Sequence, residues 1–156
     1  MKYPRIWIAA HGGAAEVAES QETPIPILRL LAREKDSSIR YLVAAHPTAT
    51  ADILTHLMKD KAMDIRCLVA NHPTTPQEVL HKLASDMEDE VRRDVAYNTN
   101  TSSETLRYLA DDYDPKVRED VAGNQSTPRD VLEKLAKDDN DVVKEKAAHT
   151  LRIIGY

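Results

Sequence analysis

The residues of this 156-residue chain whose types could do chemistry are its six histidines, its single cysteine and two series of charge that recur at a fixed interval. An acid stands at Glu34, Asp60, Asp86, Asp112 and Asp138, and six positions after each comes a base: Arg40, Arg66, Arg92, Arg118 and Lys144. A carboxylate and a guanidinium could act together on a substrate, but catalysis needs one site and not five copies. A repeated pair is structural, joining one copy to itself or to its neighbour by charge-assisted hydrogen bonds. His46 and His72 occupy equivalent positions, so a bridging metal can be imagined. Equivalents in adjacent helical layers lie roughly 8 to 10 Å apart, too far to share a zinc ion at about 2 Å per bond. His56 and His81 fall at different repeat positions with no third ligand. Cys67, alone, makes neither an internal disulfide nor a multi-thiolate site and suits a reducing compartment. Phosphate-cradling glycine loops, nucleophile elbows and HExxH are absent, and only four glycines occur. Neither a catalytic residue nor a metal or cofactor is expected.

The elements that carry these residues follow from the same 26-residue interval, which runs from about Gln21 to the C-terminus. Leu28, Leu54, Leu80, Leu106 and Leu132 form one unbroken column, and Leu31, Leu57, Leu83, Leu109 and Leu135 another. Ile39, Ile65, Val91, Val117 and Val143 form a third; Val43, Val69, Val95, Val121 and Ala147 a fourth, each followed by alanine (Ala44, Ala70, Ala96, Ala122, Ala148). Spacings of one, three and four within each half-repeat predict two short helices per repeat, each with one apolar stripe. The first helix is expected to start at a capping box such as Thr75-Pro76-Gln77-Glu78, with Thr101 and Thr127 in the same role, and to start late after Pro26. Ala49-Thr50 has lost that pattern. The second is expected to start at Asp36, Glu88, Asp114 and Asn140 and to end at His46, His72, Asn98 and Asn124, where Asn and Gly suit a left-handed residue. Helices of about eight residues are not stable alone in water, so stability must come from stacking.

Residues 1–20 lack the full motif, although Val17-Ala18 lies one period before Val43-Ala44, and they are expected to cap the array at residues 21–156 with Ile6, Trp7 and Ile8 as cover. At the other end, Leu151 and Ile154 continue the last helix toward Gly155-Tyr156 and are expected to close it. Hydrophobic content of 42% with 30% charge describes an ordinary folded domain, and 4% aromatics with no Phe suits thin stacked helices. A net charge of −5 argues against nucleic acid and anionic lipid, as do outward acids such as Glu90, Asp94, Glu119, Asp120 and Glu145. No stretch approaches the roughly 18 apolar residues of a membrane span, and the IWIAA run ends at His11-Gly12-Gly13, short of a signal-peptide core. A cytoplasmic location is expected.

Where the chain reads HPTTPQEVLHKLASDMEDEVRRDVA, it resembles the leucine-rich repeat variant family, with Thr75-Pro76, Leu80, Leu83-Ala84, Asp86, Val91-Arg92 and Val95-Ala96 in order. The C-terminal DNDVVKEKAAHTLRIIG is also similar to short HEAT-like repeats. Both resemblances imply an all-α fold, a right-handed α-solenoid of five two-helix repeats; the first implies a second helix often of 3₁₀ type. Some relatives carry an iron–sulfur cluster on a cysteine-rich N-terminal segment, and no cysteine stands in that segment here. The function implied is a non-enzymatic protein-interaction scaffold, with a HEAT-like lyase or chaperone scaffold as the alternative and a DNA-glycosylase-like enzyme behind it. Partner information lies in exposed positions that vary between repeats. Just after the base column the chain reads Tyr41-Leu42, Cys67-Leu68, Arg93-Asp94, Glu119-Asp120 and Glu145-Lys146, apolar in two repeats and charged in three. The patch Tyr41, Leu42, Cys67, Leu68 is either covered by residues 1–20, the preferred reading, or receives a protein partner.

Overall fold

In the computed structural model, backbone is described for residues 4–155 and side chains for residues 7–155; the side chain of Ile6 and the whole of Tyr156, both named above as parts of the end caps, lie outside the described residues. The described residues are helical and contain no strand. Contacts divide the chain into two compact units, residues 1–75 and 76–156.

The first unit contains α1 (Pro4–Ala10), α2 (Ala14–Glu19), α3 (Ile25–Leu31), α4 (Ser37–Ala44), α5 (Ala51–Leu57) and α6 (Met63–Asn71). Each first helix packs on its own second helix, α3 on α4 and α5 on α6, while second helices stack in series, α2 on α4 and α4 on α6. Gly12 and Gly13 turn α1 back onto α2 at φ of 94° and 110°, a region closed to most side chains. The second unit contains α7 (Gln77–Leu83), α8 (Asp89–Tyr97), α9 (Ser103–Leu109), α10 (Pro115–Gly123), α11 (Arg129–Leu135) and α12 (Asp141–Ile153), with α8 on α10 and α10 on α12. The second helices are α-helical, not 3₁₀.

The apolar columns are the core. All ten column leucines are at most 2% exposed, and the Val and Ile columns are buried beside them. Val17 and Ala18 are buried in the same way on α2. Of the alanines that follow the fourth column, four are fully buried and Ala148 is exposed at the outer face of α12. The alanine position is therefore where the next slice presses. The extension of α12 is present, but its buried residue is Thr150; Leu151 and Ile154 are half-buried and Ile153 is exposed.

Helix starts divide into two kinds. Asp36, Asp114 and Asn140 cap α4, α10 and α12 with side-chain oxygens that accept from backbone N–H groups. The expected capping boxes on first helices are not formed. The residue before α7 is Pro76 and before α11 is Pro128, neither with a side-chain cap, and α9 is capped by Ser102. Glu78 pairs with Lys82 one turn on instead of reaching back. The threonines face the other way: Thr75, Thr101 and Thr127 donate to the carbonyls of Val69, Val95 and Val121 at 2.5, 2.6 and 2.6 Å, and Thr23 likewise to that of Val17. The carbonyls of Val17, Val69 and Val121 also accept the backbone N–H of Ser20, His72 and Asn124, so the hydroxyl adds a second donor at the end of the preceding helix, and Thr101 does the same without a following proline. Pro26 does not delay α3, which starts at Ile25, because a missing N–H in the first turn leaves no bond unmade.

Leu80→Ala and Leu106→Ala each remove a fully buried side chain from the second unit and should cost about 2–5 kcal/mol in denaturant unfolding. Losses under about 0.5 kcal/mol at both sites would show that these columns do not form the core.

Candidate functional site

Most of the repeated polar groups are used between repeats. In the first unit, Arg40 grips Asp60 of the following repeat side-on, Nε to Oδ2 at 2.6 Å and Nη2 to Oδ1 at 3.0 Å. In the second, Arg92 holds Asp112 at 2.6 and 3.2 Å, and Arg118 holds Asp138 at 2.8 and 2.9 Å. The remaining nitrogen, Nη1, donates to the carbonyl of the residue six positions back: Glu34, Asp60, Asp86 and Asp112 for Arg40, Arg66, Arg92 and Arg118, all within 2.9 Å. The acids in turn accept backbone N–H groups two residues ahead, at Ala62, Glu88, Asp114 and Asn140. One guanidinium thus closes its own interhelical loop and clamps the next. Lys144, at the end of the base column, instead pairs with Asp141 on its own helix.

The Arg92–Asp112 pair is the most buried, with side chains 5% and 6% exposed. Hydrogen bonding to Arg40 and to Arg118 holds the Asp60 and Asp138 carboxyls below the usual range. A depressed folded value stabilises above the unfolded value near 4 and is lost as pH falls through the folded one. A second set of interrepeat pairs, Arg29–Asp52 and Arg107–Asp130, joins successive first helices at the surface. The Arg29 guanidinium lowers the Asp52 carboxyl to about 2.

The histidine and asparagine column is also structural, but not as a left-handed turn. His72, Asn98 and Asn124 have extended backbones at φ of −68°, −65° and −76°, and no non-glycine residue has positive φ among the described residues. The side chains of His46, His72 and Asn124 bond across the stack. His46 Nε2 meets the Ser20 carbonyl at 2.9 Å, His72 Nε2 meets the His46 carbonyl at 3.2 Å, and Asn124 Nδ2 donates to the carbonyls of Asn98 and Ala96. The Nδ1 of His46 and of His72 accepts from the N–H of Thr48 and Thr74, as Oδ1 of Asn98 and Asn124 accepts from Asn100 and Ser126. Histidine in its neutral Nε2–H tautomer and asparagine therefore do the same job. Both ring nitrogens of each histidine are engaged in the stack. His81 bonds Thr105, the one hydroxyl in the column Ile27, Ile53, Val79, Thr105 and Val131. No group of three or more His, Cys, Asp and Glu among the described residues could hold a metal ion.

Two exposed regions are left over. Tyr41 is 40% exposed, and Leu42, Cys67 and Leu68 are half-buried on the outer faces of α4 and α6. Trp7 stacks on His11 with centroids 3.9 Å apart, in a hollow shared with Val17, Ser20 and Thr23. In the second unit the equivalent positions are polar, and Arg93 bridges to Asp120 at 2.8 Å. The other region is a cleft of about 440 Å³ between Tyr108 and Tyr113, which the sequence did not single out because neither belongs to a repeated pattern.

No protein-family model and no curated protein matches the chain. Among solved structures it is similar to a leucine-rich repeat variant with a novel repetitive structural motif, at a TM-score of 0.70 and 27% identity over 88% of this chain and 54% of that one. The chain resembles a leucine-rich repeat variant. It spans about half of that protein's length. Two engineered proteins share the fold alone, each at a TM-score of 0.52, with 18% and 16% identity over 97% and 98% of this chain and 88% and 58% of theirs. As in the leucine-rich repeat variant resemblance read from the sequence, the fold is an all-α repeat solenoid. No helix among the described residues is long and apolar enough to cross a membrane.

Removing the guanidinium of Arg92 takes the cation from the buried Asp112 carboxylate and a donor from the Asp86 carbonyl, so Arg92→Ala should cost about 3–5 kcal/mol in chemical denaturation. Arg92→Lys keeps the charge but not the fork, and should recover only part of that loss. Full recovery by lysine would mean that charge alone joins the repeats.

Burial holds the His72 imidazole below the ordinary histidine range. The unfolded chain therefore takes up a proton first, and stability is lost as pH falls below about 6.5. His72→Asn supplies the group used at Asn98 and Asn124 and should flatten the pH dependence of the unfolding midpoint between pH 7 and 5. An unchanged slope would assign that dependence elsewhere.

Proposed function

We propose that this chain is a non-enzymatic protein-interaction module of the cytoplasm. In this reading residues 1–20 cap a repeat array at 21–156, and Tyr41, Leu42, Cys67 and Leu68 receive a protein partner. The observation that carries it is the division of labour among positions. The repeated charged columns, the threonine column and the histidine and asparagine column hold repeats together, leaving function to positions that differ from repeat to repeat. At two such positions the first unit has apolar side chains that stay partly exposed where later repeats carry charge. The similar solved structure of a leucine-rich repeat variant, described by its repetitive structural motif, supports the same reading.

Affinity capture with the intact chain, compared with the Leu42→Asp/Leu68→Asp variant, tests this reading. The variant should fold with an unchanged circular dichroism spectrum and lose the specifically retained protein, and Cys67 of the wild-type protein should react with a thiol reagent within minutes. Equal capture by both proteins, or a Cys67 that reacts only on denaturation, would remove these four residues from the binding surface.

A further inference from the structure

The repeats provide an internal standard for their own loops. Between first and second helix, residues 32–36 hold Arg33 and Lys35 with Glu34 and Asp36, and residues 58–62 hold Lys59 and Lys61 with Asp60. The equivalent loops at 84–88 and 110–114 contain no base at all and five acids: Asp86, Glu88, Asp111, Asp112 and Asp114. At the position of Lys35 and Lys61 stand Met87 and Tyr113, and Tyr108 replaces what is Lys82 and Lys134 in the flanking repeats. Loops that elsewhere carry at least one base, Lys137 in the last of them included, here carry none and hold Met87 or Tyr113 instead, and the fold does not require this, because the other repeats close without it.

The structure places these substitutions together. Tyr108 and Tyr113 line the cleft of about 440 Å³, whose floor is the clamp of Arg92 on Asp112. The Arg92 guanidinium lies over the Tyr113 ring, 4.7 Å from its centroid, so one face of this ring already carries a guanidinium. Tyr113 is nonetheless 78% exposed and its other face meets solvent. The Tyr108 hydroxyl is tied to Ser85 Oγ at 3.3 Å while 55% of the residue is exposed. Asp111, which also lines the cleft, is paired with Lys134, and both side chains are more than half exposed. Such a surface pair is weak and exchangeable. Met87 is 81% exposed on the neighbouring loop, whose carbonyl at this residue accepts from Arg92 Nη1 at 3.3 Å beside the cleft, which suits a ligand longer than one cation.

We propose that this cleft binds an arginine-bearing peptide segment of a partner protein, one guanidinium stacking between Tyr108 and Tyr113 with Asp111 as counter-ion and the flanking peptide lying along Met87. Acidic loops attract the cation and repel nucleic acid and anionic lipid alike. Arginine is preferred to lysine because its planar cation stacks on a ring face while donating in plane to a carboxylate. This site lies in the second unit and does not depend on the apolar patch of the first.

The test is fluorescence anisotropy with a fluorescein-labelled (Gly-Arg)₄ peptide and the intact chain at 150 mM salt. Saturable binding is expected. Tyr108→Ala/Tyr113→Ala leaves the charge unchanged and should weaken binding about tenfold or more, the scale of two cation–π contacts. A (Gly-Lys)₄ peptide of equal charge should bind more weakly than (Gly-Arg)₄, and (Gly-Glu)₄ not at all. Tyr108→Lys/Tyr113→Lys, which installs residues that other repeats carry at these positions, should lose binding with its unfolding midpoint unchanged. Leu42→Asp/Leu68→Asp should bind as the wild type does, so a failure here is separable from failure of the apolar patch. The proposal is overturned if the wild-type chain shows no saturable binding, if the double alanine variant binds equally, if lysine and arginine peptides are equivalent, or if the Leu42/Leu68 variant is the one that loses binding.

Discussion

Helices of seven to nine residues, the length of most in this protein, do not hold together in water, since nucleation costs more than so few backbone bonds return. The stability of each repeat is therefore borrowed from the face of its neighbour, and the contact between slices is the constraint from which the other features follow. The leucine columns supply the apolar part of that contact. The arginine clamp supplies its geometry, because a guanidinium that must reach a loop carbonyl behind it and a carboxylate ahead of it fixes both the shape of its own loop and the offset of the next slice. Burial of the Arg92–Asp112 pair makes that offset specific rather than strong in itself, since desolvation consumes much of the attraction between the charges.

Around this contact the loose polar ends of the helices are satisfied by side chains that recur with the period. Threonine hydroxyls take the carbonyls at one helix end, and the imidazole or amide of the next repeat takes the carbonyl at the turn. Ala49 breaks the threonine column and is simply buried in its place. The interchange of histidine and asparagine at His72 and Asn124 shows which property the position needs: an acceptor directed at its own loop and a donor directed backward.

Much of this was legible before any coordinates. Ten leucines in two unbroken columns could only be core, and acids and bases kept in register over five repeats could only be a structural pair, although the direction of pairing, base to the following acid, needed the structure. Local chemistry was misread where one side chain has two possible partners at similar reach. Thr75 and Thr127 precede proline and look like helix caps, yet their hydroxyls bond the helix already finished, as does that of Thr101, which no proline follows. Asn98 and Asn124 look like left-handed terminators, yet both keep an extended backbone, with the Asn98 amide on its own loop and the Asn124 amide bonded across the stack as well. The cleft at Tyr108 and Tyr113 escaped a search for recurrence because it consists of what does not recur; comparing each column with itself, and reading the odd member, would have found it.

The clamp also gives the array a sense of direction. Each slice carries its guanidinium toward one side and its carboxylate toward the other, like a plug and a socket of unlike shape. Slices can be added, deleted or duplicated in register and still mate, whereas a reversed slice would set cation against cation at one junction and anion against anion at the other. Lengthening by whole repeats is thus open to such a protein without any redesign of its interior, and positions outside the repeated columns, those of Tyr108 and Tyr113 among them, are free to diverge one repeat at a time.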